Sequence, residues 1–152
     1  MTIRARVAGS IGLLFLLAIA RTSFAADQEA TLQQMTSLNK GAIAAYSAGD
    51  FDKCKTQLLQ AVALGNKNSE LQTHPLMART YLHLGVLHVD GFEDRPTGVQ
   101  YFVKALKIRP DIELTQALAT ASAKSAFDEA KGVAKGGPAA ALAAGPGAKD
   151  AA

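Results

Sequence analysis

Tyr81-Leu82-His83-Leu84-Gly85-Val86-Leu87-His88, followed by Gly98-x3-Phe102-x2-Ala105 and then Pro110, is the stretch on which the fold turns. Its residue sizes alternate for a packing reason. Leu84 and Phe102 are large knobs, whereas Gly85, Gly98 and Ala105 are small holes through which two antiparallel helices can approach. Pro110 ends the second helix because it cannot continue the hydrogen-bond ladder. Burying Leu84 and Phe102 between these two helices is the expected anchor of the pair.

A weaker copy lies upstream. Gly49-Asp50-Phe51 sits where the turn of a second hairpin belongs, and Cys54-x3-Leu58-x2-Ala61 repeats the small–large–small spacing. Leu38, Gly41-Ala42 and Ala45-Tyr46 occupy the matching places on the preceding helix, so that Leu38 aligns with Tyr81, 43 residues later.

The aromatic, Leu-Gly, aromatic, small, aromatic, Ala and Pro order over Leu38–Pro110 resembles that of tetratricopeptide repeats. Three positions depart from it: Tyr81 for the usual Trp, His88 for the usual Tyr, and Gly98 for the usual Ala. One extra residue also falls in the turn Asp90–Asp94. A standard repeat is about 34 residues, and a period near 43 also suits HEAT-type repeats. The Gly-Asp-Phe and Leu-Gly registers favour the tetratricopeptide reading, with the surplus residues in a polar inter-repeat loop at Gly65–His74.

The resemblance implies an all-α fold: a short helical-hairpin array of two tetratricopeptide-like repeats plus a C-terminal capping helix. It also implies a partner-binding groove lined by the first helix of each repeat. Carried over position by position, that groove holds Asn39, Ile43 and Tyr46 from one helix and Arg79, Leu82, Val86 and Val89 from the other. The family's carboxylate clamp is not matched, since only Asn39 and Arg79 suit it. The alternative is that Ile43, Leu82 and Val86 merely cover the core.

Residues 1–25 read as a secretory signal peptide. Arg4 and Arg6 precede the 14-residue apolar run Val7–Ala20, and Ser23-Phe24-Ala25 offers cleavage before Ala26, with Ala18-Ile19-Ala20 a second site. A spanning helix needs about 20 apolar residues, and Arg21 interrupts this run; the competing reading is an uncleaved anchor. Cleavage is expected to leave no stable membrane span and to place the protein in the periplasm or cell envelope, or outside the cell. It removes Arg4, Arg6 and Arg21, so 16 basic residues become 13, equal to the 13 acidic ones. The basic balance therefore belongs to the targeting segment, and a nucleic-acid surface, which needs clustered excess cations, is not expected.

Residues 26–132 are expected to form the helical domain, in five segments. The first is about Glu29–Ala48. Gly49 stops it, and Asp50 caps the second, Phe51–Leu64, which Gly65 or Asn66 ends in a left-handed conformation. The third begins at Pro75 and the fourth after Asp94, each with a proline in its first turn. Asp111–Leu118 is ambiguous. Thr120 caps the fifth, about Ala121–Lys131, whose Phe127 and Ala130 cover the fourth. Residues 133–152, rich in Ala, Gly and Pro, carry too little apolar surface to offset the entropy of ordering and are expected to be disordered.

Little points to chemistry. His83 and His88 lie five apart, so they do not share a helix face. His88 stands at an aromatic packing position, His74 at a helix start, and His83 is expected to be exposed. Zinc-ligand spacings are absent, and Asp90, Glu93 and Asp94 read as a solvated turn because the EF-hand alternation is missing. Nucleotide and hydrolase motifs are absent as well. The single Cys54 is expected to be buried as a small apolar group. The sequence thus predicts no enzyme and no cofactor. It favours an exported protein–protein interaction module for an unidentified protein or peptide. The alternative is a structural or anchoring component of the envelope, with a homodimer through Cys54 left open.

Overall fold

A computed structural model describes the backbone of residues 12–136 and the side chains of residues 27–136. The basic start of the expected signal segment and the tail from residue 137 lie outside the described residues. The fold is all-α. Helices α1 (Gly12–Ser47), α2 (Phe51–Asn66), α3 (Ser69–Gln72), α4 (Pro75–Val86), α5 (Arg95–Ile108) and α6 (Ala121–Ala134) follow in order. A π turn at Leu87–Gly91 extends α4, and a 3-10 turn lies at Gln116–Leu118. Among the described residues no helix is long and apolar enough to cross a membrane.

Two antiparallel hairpins, α1–α2 and α4–α5, pack side by side, and α6 lies against α5. The turn at Gly49 and the starts of α2, α4, α5 and α6 follow the sequence. Gly49 takes φ 78°, a left-handed value suited to glycine, and turns the chain between α1 and α2. Asp50 accepts from the Lys53 N–H at 3.1 Å, and Asp94 accepts from the Thr97 N–H at 3.2 Å. Thr120 accepts from the Ala123 N–H at 3.0 Å. Each satisfies a backbone donor that a helix start leaves free. Pro75 and Pro96 stand in the first turns of α4 and α5. Arg109, pinned by Pro110, goes extended and closes α5.

The large knobs are sealed, at different interfaces. The Phe102 ring stands where a Cβ on Gly85 would be, which brings α5 close onto α4, and its other side meets Phe127 of α6 edge-on at 5.3 Å. Val89 fills the place of a Cβ on Gly98, with the Gly85 carbonyl oxygen 2.9 Å from that position. Leu84, fully buried, was expected between α4 and α5. It instead joins Ala42, Ala45, Cys54 and Leu58, and so couples the two hairpins. Phe127 and Ala130 cover the array's end as anticipated, together with Ile112 and Leu118 from the irregular segment.

Four local expectations need correction. α1 begins at Gly12 rather than near Glu29, because no Gly or Pro interrupts residues 13–40. α2 does not end in a left-handed residue. Gly65 stays helical, since the Met77 side chain occupies the space of its missing Cβ, and Lys67 closes the helix in right-handed geometry. The polar stretch Gly65–His74 is no open loop: Asn68 caps the single turn α3, and Leu71 is fully buried against Met35, Ala61 and Met77. The extra residue near Asp90 is absorbed one step earlier, as the π turn, where the Phe92 N–H donates to the Leu87 carbonyl at 3.1 Å.

Candidate functional site: the trough between α1 and α4

Thr36, Asn39, Lys40 and Ile43 recur at three- and four-residue intervals and so share one face of α1. Leu76, Arg79 and His83 do the same on α4. The two faces line a trough open to solvent. Its larger hollow, about 570 Å³, reaches from Glu29 and Gln33 to His74, Arg79 and Arg109. A second, about 320 Å³, is bounded by Asn39, Lys40, Ile43 and His83. Thr36 and Leu76 border both, so the two hollows adjoin.

Its floor is a hydrogen-bonded chain. Asn39 is buried, and its Nδ2 donates to the Met35 carbonyl and to Thr80 Oγ1, both at 2.9 Å. The Thr80 hydroxyl donates to the Leu76 carbonyl at 2.9 Å. Because Met35 O can only accept, the Asn39 amide orientation is fixed, and Oδ1 is the atom that faces His83 Nδ1 at 3.1 Å. His83 Nδ1 must then carry the proton, which leaves Nε2 an acceptor. Partial burial, and then the charge of Arg79, push the His83 pKa down to about 4, so the ring is neutral near pH 7. His83 is half-buried and bonded rather than exposed: Asn39 across the interface supplies the acceptor that draws it in.

The seven carried-over groove residues divide. Leu82, Val86 and Val89 are buried in the core with Phe102 and the α6 residues Ala123, Ala126 and Phe127. They offer a partner no surface; for Leu82 and Val86 this is the core-covering alternative, and for Val89 it corrects the groove expectation. Asn39 is buried but belongs to the trough floor. Ile43 and Tyr46 are half-buried and lean against the same core, while Arg79 is half-buried in the trough wall. The Tyr46 hydroxyl sits 3.5 Å from Asp90 Oδ2, and burial followed by that carboxylate raises its pKa. Thr36, Lys40, Leu76 and His83 were missed, although the three-and-four spacing from Asn39, Ile43 and Arg79 points to them.

Other candidate groups have structural duties. Thr120 Oγ1 lies 3.0 and 2.9 Å from the two carboxylate oxygens of Asp90, tying the π turn to the start of α6. The turn is therefore more than a solvated one. His88 is buried between Phe92 and Tyr101, with its Nδ1 3.5 Å from Asp94. Burial lowers its pKa, partly offset by Asp94. His74 caps α4, its Nδ1 accepting from the Leu76 N–H at 3.1 Å. Cys54 is 1% exposed, and burial followed by the Asp50 charge raises its pKa to about 11. Among the described residues no cluster of three His, Cys, Asp or Glu could hold a metal ion. Comparison with family models, with curated proteins and with solved structures returns no match.

Proposed function

We propose that this chain is an exported protein–protein interaction module, tetratricopeptide-like in architecture, that holds a segment of a partner protein in the trough between α1 and α4. The single observation that carries the reading is the trough itself. Two helices from different hairpins present regularly spaced side chains along its two adjoining hollows. Its base is a satisfied polar network, so its shape is fixed before a partner arrives and less ordering free energy is lost on binding. Export rests on the basic and apolar order of residues 1–25 and on the small residues that follow.

The burial of Cys54 gives an envelope anchoring part cross-linked through that thiol no support. The test places a photo-crosslinking amino acid at Lys40, inside the trough, or at Leu59, an exposed position on α2. The expected result is a discrete partner adduct from position 40 in the cell envelope and none from position 59. Equal labelling from both positions, or none from either, counts against the reading.

A further inference from the structure

Asn39 is a residue that a peptide-gripping groove would turn outward, yet its amide points down. Both Nδ2 hydrogens are taken, by Met35 O and Thr80 Oγ1, and its Oδ1 faces His83. Asn39 therefore has no donor left for a ligand. What it does is fix His83: the ring is oriented, its proton is held on Nδ1, and Nε2 becomes an acceptor. His83 lines the smaller hollow. Among the described residues, His83 Nε2 is not one of the buried side-chain polar atoms left without a hydrogen bond.

The charges around it have one sign. Arg79 lies one turn before His83 on α4, and Lys40 faces it from α1. Among the described residues neither makes an ion pair. Arg109, farther along, is already paired with Asp111 at 3.2 Å, and among the described residues Glu29, near the start of the face, is the one carboxylate lining the trough. The middle of the trough thus combines an apolar wall from Ile43 and Leu76, two uncompensated cations and one fixed acceptor.

We propose that His83 is a specificity-determining residue of this trough: its Nε2, held as an acceptor by Asn39, takes a hydrogen bond from a backbone N–H of an extended acidic peptide whose carboxylates lie against Arg79 and Lys40. Asn39 and Thr80 are positioning residues that act through His83. The inference rests on the peptide-binding reading above and names its ligand. An internal segment suffices, since no group in the trough requires a chain terminus.

The test uses the full chain and a phage-displayed library of random dodecapeptides, which present no free C-terminus. Selected peptides are then synthesised with both ends blocked and titrated. Enrichment of Asp and Glu beside apolar residues is expected. Arg79→Glu should weaken binding about tenfold or more, because it sets like charges together. His83→Phe should weaken it about fivefold, the share of one hydrogen bond. His83→Gln, which restores an acceptor, should return it to within about twofold. N-methylation of one peptide amide should reproduce the His83→Phe loss on unaltered protein, so the result does not depend on any variant folding. Selected peptides that are basic, or whose affinity ignores N-methylation and both trough substitutions, overturn the proposal and leave the chain a peptide binder through another surface. If nothing is enriched over a blank support, both readings fall.

Discussion

The Phe102 ring occupies the volume in which a side chain at Gly85 would begin. The approach of α4 and α5 depends on that missing carbon. Gly85→Ala would ordinarily favour a helix by about 1 kcal/mol. Here the added methyl must push a fully buried ring that is held from behind by Phe127. Overpacking of this kind costs about 1–3 kcal/mol. The expected outcome of urea denaturation is a lower midpoint for Gly85→Ala than for wild type, with helix content retained. A stabilised variant would show that the ring can step aside.

Leu84→Ala tests the joint between the hairpins. Leu84 is fully buried in the cluster that includes Ala42, Cys54 and Leu58, so truncation removes contacts to both halves at once. The expected loss is about 2–5 kcal/mol, a large share of a typical stability of about 5–15 kcal/mol. Thermal unfolding checks it. A change within a few tenths of a kcal/mol would remove Leu84 from the joint.

Five of the six helices and the starts of α2, α5 and α6 were legible in the sequence because each depends on local chemistry. Asp50, Asp94 and Thr120 act on backbone groups within three residues, and Pro75 and Pro96 act on their own dihedrals. What depends on distant partners was not legible. Gly65 looks like a helix terminator until Met77 arrives to fill the space of its side chain. The surplus residue near Asp90 could have lengthened a loop. It widened a helical turn instead, because Asp90 can then reach Thr120 and the neighbourhood of Tyr46. In the trough, Arg79 and Ile43 were placed by their helix face. Leu82, Val86 and Val89 were misplaced because the depth to which α6 and the segment before it cover α4 is a tertiary fact. His83 was read as exposed for the same reason: its partner lies 44 positions away.

Cys54 should behave as a packed apolar group. It is almost fully enclosed, and its thiol pKa is raised to about 11, so little thiolate is present at neutral pH. Treatment of the native protein with a thiol-reactive chromogen is expected to be at least about a hundredfold slower than treatment in denaturant, if reaction waits for local opening. Non-reducing electrophoresis should show monomer. Rapid labelling of the native state, or a disulfide-linked dimer from freshly prepared protein, would return Cys54 to a role at the surface.

The last prediction concerns acid. In the folded chain the His83 pKa falls from near 6.5 to about 4, first because the ring is partly buried and then because Arg79 is near. Between those values the unfolded chain binds a proton that the folded chain does not, so folding stability falls as pH drops through this window. Above about pH 6.5 the contribution is fully present. Below about pH 4 both states are protonated and the loss from this group is complete. His88, also lowered by burial, acts in the same direction. Asp94, whose pKa is held below its usual 3.8 mainly by Thr97, adds its own loss only at more acidic pH. His83→Gln keeps a donor for Asn39 Oδ1 and removes the titration. Urea titrations at pH 7.5 and 4.5 are therefore expected to show wild type losing about 2 kcal/mol more than His83→Gln, after allowance for the ring's partial exposure. Equal losses in the two proteins would mean that His83 is protonated in the fold as readily as out of it, and that Asn39 does not hold it in the neutral form.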